Sequence, residues 1–293
     1  MQIQIRSWRS RFSAIIACAL LVMIVSAPVA AENHGAMDHL QLRATFSVSD
    51  PPDAPYHAHQ SMLHFPPGAV APLHSHGGPG YITILEGSVT LYEDGEPTIY
   101  HAGDSLVETT DKEYRGINHT DEDMRLMVTY LVPHGEDVTT MVDDPDHPEA
   151  PEIVAEVMAE SMRDFSDPPA SFELVHATVS HPAGITEEPT TTSGDRLMTV
   201  VNGEIDLSIE GESYTLAAGD SVMIEADSEY QVGNTSDARA FTMSTVLVPD
   251  VHSVAPATGA TVDRTFALWI LVMVASTLLV TGTMLRITAV RLR

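Results

Sequence analysis

An all-β fold in two tandem domains is what this sequence predicts, from three observations. Gly68, Leu85, Gly87, Gly103, Asp104, Tyr114, Asn118 and Leu131-Val132-Pro133 return, at a constant offset of 116, as Gly184, Val201, Gly203, Gly219, Asp220, Tyr230, Asn234 and Leu247-Val248-Pro249. A repeat of that length marks a duplicated single domain. Within each copy, short runs alternate apolar and polar residues and are punctuated by turn residues. Tyr81 to Leu85 alternates, Glu86-Gly87 turns, Ser88 to Tyr92 continues, and Glu93-Asp94-Gly95-Glu96 closes a hairpin. Ala102-Gly103-Asp104 and Ala218-Gly219-Asp220 mark the next corner in each copy. Many short, evenly spaced strands argue for an antiparallel sandwich or small barrel.

The elements follow in chain order. Residues 1–31 contain no acid, carry Arg6, Arg9 and Arg11 ahead of the apolar run Ala14 to Ile24, and end on Val29-Ala30-Ala31. This pattern predicts a secretory signal peptide cleaved before Glu32. Cys18, the only cysteine, leaves with it, so the mature chain has no disulfide or thiolate chemistry. Residues 32–41 read as a free N-terminus, 42–133 as the first domain, 134–158 as an acidic linker with a short helix, and 159–249 as the second domain. The helix is expected from Ile153, Val154, Val157, Met158 and Met162, which fall at helical spacing. Ser49-Asp50-Pro51-Pro52 returns as Ser166-Asp167-Pro168-Pro169, one position out of step, so a single-residue indel lies before Gly68.

Residues 250–265 read as a stalk and 266–285 as a membrane helix. Phe266 to Leu285 is uncharged over 20 residues, enough to cross a bilayer, and Arg286, Arg291 and Arg293 follow in the tail 286–293. The basic tail is expected on the cytoplasmic side and the rest outside. Ahead of this run, Ala255-Pro256-Ala257-Thr258-Gly259 resembles a sortase sorting signal, with Ala255 where that family usually has Leu. The resemblance implies cell-wall attachment through Pro256, Thr258 and Gly259; the alternative is a stalk and permanent membrane anchor.

Charge narrows the partners. All 41 acids lie between Glu32 and Arg264, against eight basic residues there, a formal charge of −33 (8 − 41). Such a surface repels nucleic acid and anionic lipid headgroups. It also fits a protein kept soluble in high salt. No nucleophile elbow or phosphate loop stands out.

The two copies resemble the cupin superfamily, as a bicupin. Its first motif, Gly, five residues, His-x-His, three or four residues, Glu, six residues, Gly, is matched by Gly68, His74, His76 and Gly87, with Gly80 at the Glu position. Its second motif is matched by Gly103 and Asn118, with Tyr114 at the His position. The second copy keeps Gly184, Gly203, Gly219 and Asn234 but has Thr190, Thr192, Arg196 and Tyr230 at the four ligand positions. The resemblance implies two tandem double-stranded β-helix (jelly-roll) barrels and a metal site of which half is retained, in the first barrel.

Side chains two apart on a strand share a face, so His74 and His76 point together. Two imidazoles begin a site for Fe, Mn, Zn, Ni or Cu. Tyr114 is the candidate third ligand; His57, His59, His64, His101 and His119 are others. Its recurrence as Tyr230, in the copy without histidines, argues for packing instead. The cluster His34, His39, His57, His59, Met62 and His64 mixes imidazole and thioether in a way that suits copper, although incidental residues of an acidic terminus are the preferred reading. Three functions stay open: a module binding a metal ion or small ligand in the first barrel with a structural second barrel, a metal-dependent dioxygenase or isomerase, and a purely structural surface protein.

Overall fold

A computed structural model describes residues 42–250 apart from 148, 150, 166 and 167. The leader, the 255–259 motif and the apolar run 266–285 lie outside the described residues. Within them the protein is all β, and no helix is long and apolar enough to cross a membrane.

The first repeat supplies β1 (Arg43–Val48), β2 (Tyr56–Phe65), β3 (Val70–Ser75), β4 (Gly80–Glu86), β5 (Ser88–Glu93), β6 (Glu96–His101), β7 (Ser105–Glu108), β8 (Tyr114–Ile117), β9 (Met124–Pro133) and β10 (Thr140–Met141). The second supplies β11 (Glu156–Phe165), β12 (Phe172–His181), β13 (Ile185–Thr186), β14 (Thr190–Thr191), β15 (Asp195–Asn202), β16 (Glu204–Ile209), β17 (Glu212–Ala217), β18 (Ser221–Ile224), β19 (Glu229–Asn234) and β20 (Ala240–Pro249). From β2 onward the offset of 116 carries strand onto strand: Tyr56–Phe65 onto Phe172–His181, Met124–Pro133 onto Ala240–Pro249. The loop after β1 is one residue longer than the loop after β11, which is where the indel falls.

Each barrel pairs two sheets. The first has β11-β2-β9-β4-β7 facing β10-β3-β8-β5-β6; the second has β1-β12-β20-β15-β18 facing β13-β19-β16-β17, with β14 on β19. The barrels exchange strands. β1, from the first repeat, pairs with β12 of the second, and β11, from the second repeat, pairs with β2 of the first. The boundaries expected at 42 and 159 are corrected accordingly, since the opening strand of each repeat completes the other barrel.

The expected helix around residues 153–162 is corrected too. Glu156–Phe165 is a strand, with Ala159, Ser161 and Phe165 buried at alternate positions and Val157 and Met162 exposed. The open edge of β2 offers nearly ten residues of backbone pairing. That nonlocal partner outweighs a short stretch of helical spacing.

Separate apolar cores fill the two barrels, one around Phe65, Ile82, Ile84 and Leu126 and the other around Met198, Val200, Leu207 and Leu216. Residues of both repeats meet between the barrels, including Phe46, Tyr56, Leu131, Phe165, Phe172 and Leu247. A buried polar network runs through this seam. Gln60 donates to Thr245 Oγ1 at 2.7 Å and accepts from Thr199 Oγ1 at 2.8 Å. Its repeat equivalent, His176, bridges Thr83 and Thr129, each at 3.0 Å. Thr83 and Thr129 are the equivalents of Thr199 and Thr245, so the network is pseudo-twofold. Complete satisfaction is what makes such buried polar atoms tolerable. Burial pulls the His176 pKa down to about 3, so the ring stays neutral.

Candidate metal centre in the first barrel

His74 lies on β3, where its backbone is flanked by Tyr114 on β8 and Met141 on β10. His76 follows just past the strand end. Their rings stand edge to face with centroids 4.7 Å apart. Each Nδ1 meets a backbone carbonyl: His74 to Pro72 O at 2.6 Å and His76 to Val138 O at 2.9 Å. A carbonyl can only accept, so each Nδ1 carries the proton and each Nε2 presents a lone pair. This is the tautomer of a metal-binding histidine with its other nitrogen anchored. Val138 lies in the segment read as linker, which instead returns along β3 through β10 and the bond from Val142 N to Leu73 O.

Glu108, which sequence reasoning missed, completes the cluster. One donor atom from each of His74, His76 and Glu108 lies within 4.8 Å of the others. Glu108, at the end of β7, is directly opposite Gly80 in the β4–β7 register. The carboxylate that the family motif places at position 80 therefore enters from the neighbouring strand. Gly80 is needed as glycine, because a Cβ there would sit 2.3 Å from the Tyr130 ring. Tyr130 pairs with Gly80 from the other side, on β9, and its hydroxyl donates to Glu108 Oε2 at 3.1 Å. Burial and the nearby Glu108 push the Tyr130 pKa well above its usual value, so the phenol keeps its proton.

Tyr114 stands on β8 beside the histidine pair, directly opposite His74. Its fully buried hydroxyl accepts the Thr109 backbone N–H at 2.7 Å, and its ring centroid is 6.1 Å from that of His76. The cluster of three donors forms without it. His64 pairs with Asp123 and Glu156, His59 with Glu160, and His119 with the Tyr92 hydroxyl.

The decisive contact is His76 Nε2 to Glu108 Oε2 at 3.0 Å, with both side chains almost fully buried. In a neutral imidazole Nδ1 spends the only proton on Val138, and the single Tyr130 hydroxyl proton stands between two acceptors, Glu108 Oε2 at 3.1 Å and His76 Nε2 at 3.3 Å. With a neutral ring, two lone pairs face each other, and a cation at Nε2, whether a proton or a metal ion, satisfies both. The donor set of two imidazoles and one carboxylate fits a transition metal. Burial lowers the His74 pKa, which keeps that lone pair available near neutral pH. Beside the cluster is a cavity of about 50 Å³ to which His74, Glu108 and Tyr130 contribute and whose remaining wall is mostly apolar, including Leu63, Phe65, Ile82, Val89, Leu106 and Leu126.

In the second barrel Thr190 faces Tyr230 across β14 and β19, as His74 faces Tyr114. Arg196 stands where Gly80 does, opposite Ile224 and Val246 in place of Glu108 and Tyr130. Its guanidinium carbon lies 5.4 Å from the Tyr230 ring centroid. Thr192 is turned into its own loop, donating to Gly194 O at 2.7 Å. Among the described residues, no cluster of three metal-binding groups forms in this barrel.

The cupin domain model matches the chain twice, at residues 61–130 and 178–246, one match in each repeat. Together with the two-barrel architecture this supports a two-domain cupin, a bicupin. Among solved structures, AerE from Microcystis aeruginosa is similar at 16% identity over 69% of this chain and 98% of that one, with a TM-score of 0.39. Oxalate decarboxylase from Bacillus subtilis is similar at 13% identity over 70% and 76%, with a TM-score of 0.43. Vicilin from Solanum melongena is similar at 10% identity over 66% and 75%, with a TM-score of 0.48. No curated protein matches the chain by sequence.

Proposed function

We propose that the first barrel binds one transition-metal ion through His74, His76 and Glu108, together with a small organic molecule of apolar body, and that the second barrel is structural. The carrying observation is the convergence of one donor atom from each of His74, His76 and Glu108 to within 4.8 Å of one another, with both imidazoles anchored through Nδ1. When bound, a metal with three protein ligands and open positions supplies Lewis-acid or redox chemistry to a small molecule beside it. Val138 and Pro72 fix the imidazole tautomers, and Tyr130 orients Glu108 while keeping its own proton. The apolar wall excludes water from that side of the cluster.

A second reading, a metal-dependent dioxygenase or isomerase, is favoured by the cavity beside the cluster. The two differ in turnover, so the test has two stages. Elemental mass spectrometry on the purified full-length chain is expected to find Fe, Mn, Zn, Ni or Cu at one equivalent or more, and His74→Ala/His76→Ala to hold one equivalent less. Equal metal in both would overturn the interior site. Consumption of dioxygen or of small organic acids by the loaded wild type alone would then favour the enzyme.

The leader 1–31 and the apolar run 266–285 support an ectodomain held outside the cytoplasmic membrane, by a permanent anchor or by wall attachment through Thr258. External protease is expected to digest residues 42–250 on intact cells, and protection would refute the reading. Thr258→Ala is expected to abolish covalent wall attachment while leaving the membrane-bound pool. Identical detergent-soluble material from both chains would dispose of the sorting signal.

A further inference from the structure

A second group of donors lies at the end of the sheet where the barrels exchange strands. His57 on β2 is directly opposite Asp164 on the exchanged strand β11 and opposite Val132 on β9. His134 follows Val132 by two residues, which by strand alternation returns it to the same face. The three meet: one donor atom from each of His57, His134 and Asp164 lies within 4.8 Å of the others. His134 Nε2 is 3.0 Å from Asp164 Oδ1, and the His57 and His134 ring centroids are 6.0 Å apart.

We propose that His57, His134 and Asp164 form a second metal site, at the rim of the first barrel, that takes a divalent transition ion such as Zn²⁺. The alternative is a simple His134–Asp164 hydrogen bond, and His57 argues against it. Its Nε2 is enclosed by protein yet has no hydrogen-bond partner. A buried ring nitrogen left in that state is costly, and the same ring offers one nitrogen to the cluster with His134 and Asp164. Two imidazoles and one carboxylate suit Zn²⁺, Ni²⁺ or Cu²⁺ and are poor for Ca²⁺ or Mg²⁺, which prefer oxygen ligands. The exposed sides of His134 (46%) and Asp164 (74%) leave room for ion entry and for water as a further ligand. The strongly acidic surface raises the local concentration of divalent cations. Because the donors come from β2, the turn after β9 and β11, a bound ion would staple the exchanged strand to its host sheet.

The test uses the metal-stripped full-length chain titrated with Zn²⁺ alone and followed by calorimetry and elemental analysis. His76→Ala/Glu108→Gln, which disables the interior cluster, is expected to keep one equivalent of Zn²⁺. Adding His134→Ala to that background is expected to abolish it. Thermal unfolding gives an independent reading: in the interior-disabled chain, Zn²⁺ at about a hundredfold over its Kd should raise Tm by roughly 5–10 °C. Asp164→Asn in that background should cancel the rise while leaving the metal-free Tm unchanged, since Asp164 is exposed. If the interior-disabled chain binds no Zn²⁺, or binds it equally well with His134→Ala and Asp164→Asn, the rim site does not exist. The interior proposal fails separately, if His57→Ala/His134→Ala alone leaves the chain with no metal.

Discussion

The two barrels share most of their backbone plan and differ at the interior cluster of His74, His76 and Glu108. In the first, Gly80 stays empty so that Tyr130 and Glu108 can meet over it, beside two anchored imidazoles. In the second, Arg196 fills the equivalent place, with Ile224 and Val246 across from it. One interior gathers two imidazoles and a carboxylate; the other carries a guanidinium, 5.4 Å from the Tyr230 ring centroid. Position 80 and its two cross-strand neighbours differ together between the repeats: Gly80, Glu108 and Tyr130 in one, Arg196, Ile224 and Val246 in the other.

The largest test of that unit is transplantation. Thr190→His, Thr192→His, Arg196→Gly, Ile224→Glu and Val246→Tyr together should give the second barrel a metal equivalent that the parent lacks there, measured by elemental analysis on a chain whose first-barrel and rim donors are disabled. Failure would mean that the carbonyl of Val138, which accepts from His76 Nδ1, is as necessary as the donors. Next, Glu108→Gln should weaken metal binding in the first barrel by more than about 100-fold, since a direct ligand matters more than its supporting shell. Gly80→Ala forces the Tyr130 ring to move and should cost about 1–3 kcal/mol in chemical denaturation.

The seam gives a third contrast, between Gln60 and its equivalent His176. Below the unfolded pKa of 6.5, an unfolded chain takes up a proton that folded His176 refuses until about pH 3. Its contribution to stability is therefore full above pH 6.5 and falls by about 1.4 kcal/mol per pH unit across that window. His176→Gln should remove that slope with little change at pH 7, because glutamine already fills the equivalent place. An unchanged slope would show that other groups set the acid limit. The smallest effect expected is that of Tyr130→Phe, which takes one donor from Glu108 and should weaken metal binding roughly 10-fold.

Much of the architecture was legible because duplication and turn chemistry are local signals. Glu86-Gly87, Gly95 and Gly103 fall at strand ends, as their spacing predicts, and five strands of the second repeat reproduce the first to the residue. The His-x-His pair was legible through strand alternation. Glu108 was not, because a motif reads along the chain while the carboxylate arrives from across the sheet, 28 positions beyond Gly80. A signal did exist in the duplication: an acid at 108 set against an apolar Ile224, and a glycine at 80 set against Arg196. The segment 153–162 misled for a related reason. Its local spacing is helical, and only the edge of β2, a hundred residues earlier in the chain, makes it a strand.

Reciprocal strand exchange makes the duplicated halves mutually dependent in a way that the chain between them does not enforce. Each barrel already contains a piece of its sibling, so cutting the covering segment between β10 and β11 would release neither. The severed halves would remain interlocked like two hooks, and a scission there would be silent until the fold was opened. The same geometry bars return to a single barrel by simple deletion, since either half alone would expose the unpaired edge its sibling had covered. So the second barrel, which gathers no donor cluster among the described residues, is still indispensable to the first.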